Sequence, residues 1–223
     1  MLPPKLFVTG TDTEVGKTVV TASIAAATGA VALKPIASGV APGTVSEDAA
    51  LLAVACGGVA ECARTWAAPV SPHRAAERHG DPVSLALLLD WIQARSGSRM
   101  LVEGVGGWRV PISWEFGVPE LAAALGFPVL VVSANRLGVL NHTLLTVDAV
   151  QACGLEVAGV VLNNLGGQDA SQASNLEDLR RLLEVPVWDF PKLNGLSRAE
   201  LAAGWEAADR VFRGNQQRSD PHR

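Results

Sequence analysis

The chain has 223 residues, with 18 basic and 22 acidic side chains and a formal charge of −4. Apolar residues make up 48% of it, which excludes a disordered chain. The slight acidity speaks against a nucleic-acid binder, which needs a basic face.

In chain order, Leu6–Thr9 reads as a buried strand and Val19–Ala27 as a helix behind a Gly-rich turn. Val31–Leu33 is a second strand, stopped by Pro35. Ser46–Cys56 is helical, with Ser46 as the N-cap and acidic residues in the first turn. A helix opens at Pro82 and runs to Arg95, with Leu85, Leu88, Leu89 and Ile92 on one face. Met100–Val102 is a third strand and Pro119–Leu125 a short helix. Pro128–Val132 is uninterruptedly apolar, as central parallel strands are. Asn141–Cys153 is a helix ended by Gly154, and Val157–Leu162 a further strand. Leu176–Leu183 is helical, Val187-Trp188 a short strand, and Arg198–Phe212 the last helix. The alternation predicts an α/β fold, a mostly parallel sheet flanked by helices in three layers. No linker divides it, so residues 1–212 read as one domain and the polar 213–223 as a disordered tail.

The three cysteines form no CxxC pair, and the four histidines are scattered. They build neither a disulfide framework nor a zinc site, which points to a reducing compartment. The N-terminus carries no basic leader before an apolar stretch. The longest uncharged run, Thr18–Leu33, is broken by Thr, Ser and Gly, so no membrane span is expected. Together these features predict a soluble cytoplasmic protein.

The strongest chemical signal is Gly10-Thr11-Asp12-Thr13-Glu14-Val15-Gly16-Lys17-Thr18, between a strand and a helix. Glycines let backbone N–H groups close on phosphate oxygens, and the helix N-terminus adds partial positive charge. Lys17 suits the β and γ phosphates, and the Thr18 hydroxyl suits Mg2+. The spacer between Gly10 and Gly16-Lys17 is one residue longer than in a strict Walker A loop. Asp12 and Glu14 repel a triphosphate, but suit a cationic co-substrate.

Lys34, after the second strand, can stabilise anionic charge in phosphoryl transfer. Glu103 closes the third strand as a Mg2+-holding carboxylate does, followed by Gly104-Val105-Gly106-Gly107-Trp108. Trp108 is the Trp best placed to touch a ligand. Asn163 and Asn164 end a strand, where an amide offers donor and acceptor to an adenine edge or simply makes a turn. His73 and His142 read as capping or packing residues. Only four of the basic residues are Lys, and Lys17 and Lys34 fall in the two motifs that call for a compact ammonium. The loop by itself also fits another P-loop ligase or amidotransferase-type synthetase, or a nucleotide-binding module without catalysis.

Five blocks, at 10–18, 34–39 (Lys-Pro-Ile-Ala-Ser-Gly), 71–73 (Ser-Pro-His), 102–108 and 137–142 (Leu-Gly-Val-Leu-Asn-His), stand in an order that resembles the dethiobiotin synthetase family. The longer spacer is that family's form, and the resemblance reaches from residue 5 to about 193. It implies a homodimeric P-loop enzyme of biotin synthesis that closes a ureido ring from 7,8-diaminononanoate, CO2 and Mg-ATP. By position, Lys34 and Lys17 would be catalytic. Glu14, Val15, Gly16, Lys17, Thr18 and Val19 would bind nucleotide, with Asp48, Glu103, Gly104, Val105 and Gly106. Thr18, Asp48 and Glu103 would hold Mg2+. Asn163, Asn164 and the backbone of Pro191, Lys192 and Leu193 would border adenine. Thr13, Glu14 and Ser38 would meet substrate. Gly138, Val139, Leu140 and Asn141 would take its carboxylate across the dimer interface. A diamine substrate accounts for Glu14 in a phosphate loop. The sequence departs from the family in a shorter 17–34 segment, in Val105, in Arg136 where Lys is frequent, and in Asn164 where Asp is usual.

Overall fold

Strands β1 (Lys5–Gly10), β2 (Val31–Leu33), β5 (Met100–Glu103), β6 (Val129–Ala134), β7 (Val157–Asn163) and β8 (Val187–Phe190) form one sheet. Its order is β2-β5-β1-β6-β7-β8, and every pairing is parallel. The computed structural model describes residues 2–167 and 169–218.

Alternation along the strands splits the core between two faces. Leu6, Val8, Leu130, Val132, Val161 and Phe190 point to a cluster completed by Ile24, Leu52 and Leu201. These last three lie on α1 (Lys17–Thr28), α2 (Glu47–Cys56) and α8 (Arg198–Arg218). Phe7, Val102, Val129, Val131, Val160 and Leu162 point the other way. They meet α4 (Leu85–Gln93), α5 (Val118–Leu125), α6 (Val139–Ala152) and α7 (Gln172–Leu182) through Leu88, Leu121, Val147 and Leu179. Each such fully buried side chain stabilises the fold by roughly 1.5–3 kcal/mol.

Local chemistry sets several helix ends. Ser46 caps α2 by accepting from the Ala49 N–H at 3.4 Å, as expected. The helix expected from Pro82 starts instead at Leu85, because Ser84 accepts the Leu87 N–H at 3.2 Å. Helix α6 starts at Val139, two residues before its expected start, after Gly138 at φ 92°. Helix α7 starts at Gln172, four residues early. Helix α8 continues to Arg218, six residues past the expected end, and 219–223 lie outside the described residues.

Two short strands, β3 (Ile36–Ser38) and β4 (Arg64–Trp66), form a separate parallel pair, followed by α3 (Pro72–His79). None of the three was expected. Three-residue strands carry too little period to read, and α3 is mostly polar. The cysteines are free thiols. Among the described residues, no helix is long and apolar enough to cross a membrane.

Candidate functional site

Parallel strands bring their C-terminal ends to one edge of the sheet. Across that edge lie Lys34 after β2, Glu103 on β5, the phosphate loop after β1, the Arg136–Gly138 turn after β6, Asn163 on β7 and Pro191 after β8. Most of the residues singled out in the sequence therefore share one edge.

The phosphate loop is tightly built. Lys17 Nζ donates to Asp12 O at 2.9 Å, spanning the loop. A Cβ on Gly10 would stand 2.8 Å from Val15 Cγ2, so only Gly fits the loop's start. Among the described residues Glu14 is the one non-glycine with positive φ, at 57°. That left-handed residue, followed by Gly16 at φ 88°, turns the chain sharply into α1. Asn163, buried on β7, donates Nδ2 to Val15 O at 2.9 Å and clamps the loop to the sheet.

Gly16 faces that clamp. A Cβ there would lie 2.0 Å from Asn163 Nδ2. Gly16→Ala is therefore expected to destabilise the fold by about 2–3 kcal/mol, through strain plus a broken buried hydrogen bond. Urea unfolding of the two proteins measures it. A loss under about 0.5 kcal/mol, the size of an ordinary surface change, would refute the clamp.

Next to the loop lies a buried charge cluster. Lys34 Nζ sits 2.6 Å from Glu103 Oε1, 2.8 Å from Asp48 Oδ2 and 3.1 Å from Gly104 O. Thr18 Oγ1 lies 2.8 Å from both Asp48 Oδ1 and Glu103 Oε1. Lys34 and Glu103 are almost wholly buried, and Asp48 is partly exposed. Burial alone would push Lys34 down, but Glu103 and Asp48 outweigh it and hold its ammonium above the usual range. For Asp48, burial is outweighed by the Lys34 ammonium and the Thr18 hydroxyl, so its carboxyl sits below its ordinary value. Burial, then the charge of Lys34, outweighs Glu103, Asp48 and Asp12 at Lys17 and lowers it from 10.5 to about 8.

Two carboxylates and a hydroxyl on one point are hard oxygen donors of the kind Mg2+ takes. Glu103 Oε2 is buried with no hydrogen-bond partner, an open acceptor that a cation would satisfy. These two carboxylates and one hydroxyl fit a Mg2+ that draws its remaining ligands from phosphate oxygens and water. Among the described residues no group of three or more His, Cys, Asp or Glu offers a site made of such side chains alone.

A cleft of about 420 Å³ runs beside the loop, between Thr11, Asp12 and Gly107–Pro111 on one side and Leu145, Thr146 and Ala149 of α6 on the other. Trp108 lines it, edge-on to Phe7, with its indole N–H unpartnered. Leu137 and Leu145 are exposed on the α6 side.

An AAA domain family model matches residues 4–196. The ATP-dependent dethiobiotin synthetase BioD of Anaeromyxobacter dehalogenans (strain 2CP-C) is 46% identical over 219 residues, 92% of this chain and 98% of its own. Its namesake in Ralstonia nicotianae is 42% identical, covering 84% of this chain and 88% of its own. That of Pseudomonas aeruginosa is 35% identical, covering 90% and 95%.

The chain belongs to the dethiobiotin synthetase family.

Lys17, Thr18, Lys34, Asp48 and Glu103, the residues carried over from dethiobiotin synthetases for phosphate, metal and catalysis, converge in this fold. Ser38 lies on β3 beside β4, its Oγ buried without a partner. Gly138 opens α6, and Val139, Leu140 and Asn141 form its first turn. The two Asn expected to border adenine make these contacts. Asn163 gives its amide nitrogen to the phosphate loop, and Asn164 turns its side chain inward to Asn135 and Asp189. Asn135, Asp189 and Asn175 had no motif to mark them. Each is a single polar residue whose role exists only once strands far apart in sequence are paired.

Proposed function

We propose that this chain is an ATP-dependent dethiobiotin synthetase, and that the Lys34–Glu103–Asp48–Thr18 cluster beside the phosphate loop is its reaction centre. The observation that carries this is the convergence of two lysines and two carboxylates at the C-terminal edge of the sheet.

In this reading one amine of 7,8-diaminononanoate attacks CO2 and loses a proton, giving a carbamate. A carbamate oxygen then takes the γ-phosphoryl group, and ADP leaves. The second amine attacks the carbonyl carbon, phosphate departs and the ureido ring closes with loss of a proton.

The residues divide this work by charge. Lys17 and the loop N–H groups bind the phosphates, and α1 adds its N-terminal partial charge. Thr18, Asp48 and Glu103 would hold Mg2+, which would neutralise phosphate charge when bound. Lys34, already fixed by two carboxylates, holds its ammonium beside the developing anion without reorganising. Glu14 and the unpartnered Ser38 hydroxyl suit the diamine and its carbamate. The α6 entry, Gly138–Asn141, suits the substrate carboxylate across a homodimer interface, to which exposed Leu137 and Leu145 would contribute. The reaction draws on soluble substrates, and a cytoplasmic setting accords with three free thiols.

Phosphate release is expected only when 7,8-diaminononanoate, bicarbonate, Mg2+ and ATP are all present, with a cyclic urea product seen by mass spectrometry. Diamine-independent ATP hydrolysis, with no such product, would refute the proposal.

A further inference from the structure

We propose that Asn164 is a positioning residue of the nucleotide pocket, acting through a polar chain that ties together the ends of β6, β7 and β8. The proposal rests on the reading of this edge as a nucleotide site.

Asn164 follows β7, one residue beyond the Asn163 clamp. Its Oδ1 accepts from Asn135 Nδ2 at 2.7 Å. Its Nδ2 donates to Asp189 Oδ1 at 2.7 Å and to Phe190 O at 2.9 Å. The orientation of the amide follows from chemistry: a carbonyl and an ionised carboxylate only accept, so the nitrogen must face them. With both ends engaged inside the fold, this side chain is committed to positioning.

Asn135 continues the chain. Its Oδ1 accepts from Asn175 Nδ2 of α7 at 2.8 Å, and its N–H donates to Asn163 O at 2.9 Å. Asn135 directly precedes the turn into α6. One continuous network therefore runs from β8 through β7 and β6 to α7. It holds Asn163, and through Asn163 the phosphate loop, in register with the segment after β8.

This network demands an amide at 164. An Asp there would still accept from Asn135, but its second oxygen would face Asp189 Oδ1 and Phe190 O, three acceptors with no donor among them. Like charges at that separation repel, and the strand ends would part.

The test is ADP binding by calorimetry, with ATP kinetics alongside. Asn164→Asp is expected to weaken ADP binding by about tenfold and raise the KM for ATP alike, leaving kcat within about threefold, the pattern of lost uniform binding. Adding Asp189→Asn supplies a donor opposite the new carboxylate, so the double variant is expected to regain most of the affinity. A merely structural loss would reduce the folded fraction, lowering kcat and leaving KM unchanged, the opposite of the split expected here. If N164D does not fold, the double variant decides: folded and ADP-binding supports the proposal, unfolded or non-binding overturns it. N164D that binds ADP like the wild type overturns the proposal and leaves the nucleotide reading intact. A wild-type chain that binds no ADP overturns both.

Discussion

Lys34→Ala is expected to lower turnover by about a thousandfold, while the Kd for ATP changes less than about fivefold. The split follows from where Lys34 sits. Its ammonium is neutralised in the resting site by Glu103 and Asp48, at 2.6 and 2.8 Å. In the proposed reading it adds little net attraction for a bound nucleotide, whose phosphates would meet the loop and Lys17. Its value would be realised when charge develops on the transferring phosphoryl group, because it is already in place and buried. Phosphate release and calorimetry measure the two quantities. Turnover within about tenfold of the wild type, less than the loss of even one preorganised donor, would remove Lys34 from the chemistry.

The same variant carries a structural signature. Removing the cation leaves Glu103 buried and facing Asp48 unpaired, a situation that costs about 3–5 kcal/mol. The variant should melt at a lower temperature, and Mg2+ should restore more of that loss than it adds to the wild type. Lys34→Arg is not expected to rescue turnover, since a larger planar guanidinium in this buried site cannot put its charge at the point the compact ammonium occupies between Glu103, Asp48 and Gly104 O.

The second large effect is expected from Glu103→Gln. The side chain keeps its shape, but the proposed metal set loses one of its two carboxylates, and Lys34 loses the charge of its nearest partner. Half-saturation by Mg2+ should move up by at least about tenfold, and kcat/KM should fall by roughly a hundredfold, because metal affinity for hard oxygen sites follows ligand charge. Titrating activity against Mg2+ reads both. A variant whose Mg2+ dependence overlays the wild type would take Glu103 out of the metal set. The two variants separate the lysine from the metal: Mg2+ above saturation should recover part of the activity of Glu103→Gln and none of the turnover of Lys34→Ala.

The site was legible in proportion to how local its signals are. The phosphate loop is contiguous, so Gly10, Gly16, Lys17 and Thr18 stand out by spacing alone. Lys34 and Glu103 each close an apolar strand, a position that parallel sheets reserve for ligands. Their pairing with Asp48 is invisible along the chain because the partners lie on α2, just after β2 and on β5. Asn163 shows the limit of a motif. Its place at a strand end was readable, but not the hydrogen bond that ties it to Val15 across the sheet.

What the sequence alone determined was the alternation of strands and helices, the phosphate loop, the two lysines and the family. These depend on period, on glycine at fixed offsets and on contiguous motifs, all local. Only the tertiary structure decided that β3 and β4 pair, that α3 exists, that α8 runs on to Arg218, and that Asn135, Asn164, Asn175 and Asp189 form one network. Short strands carry too little period to announce themselves. A buried amide reveals its task only when the strand beside it, dozens of residues away in the chain, has supplied the atom it must satisfy.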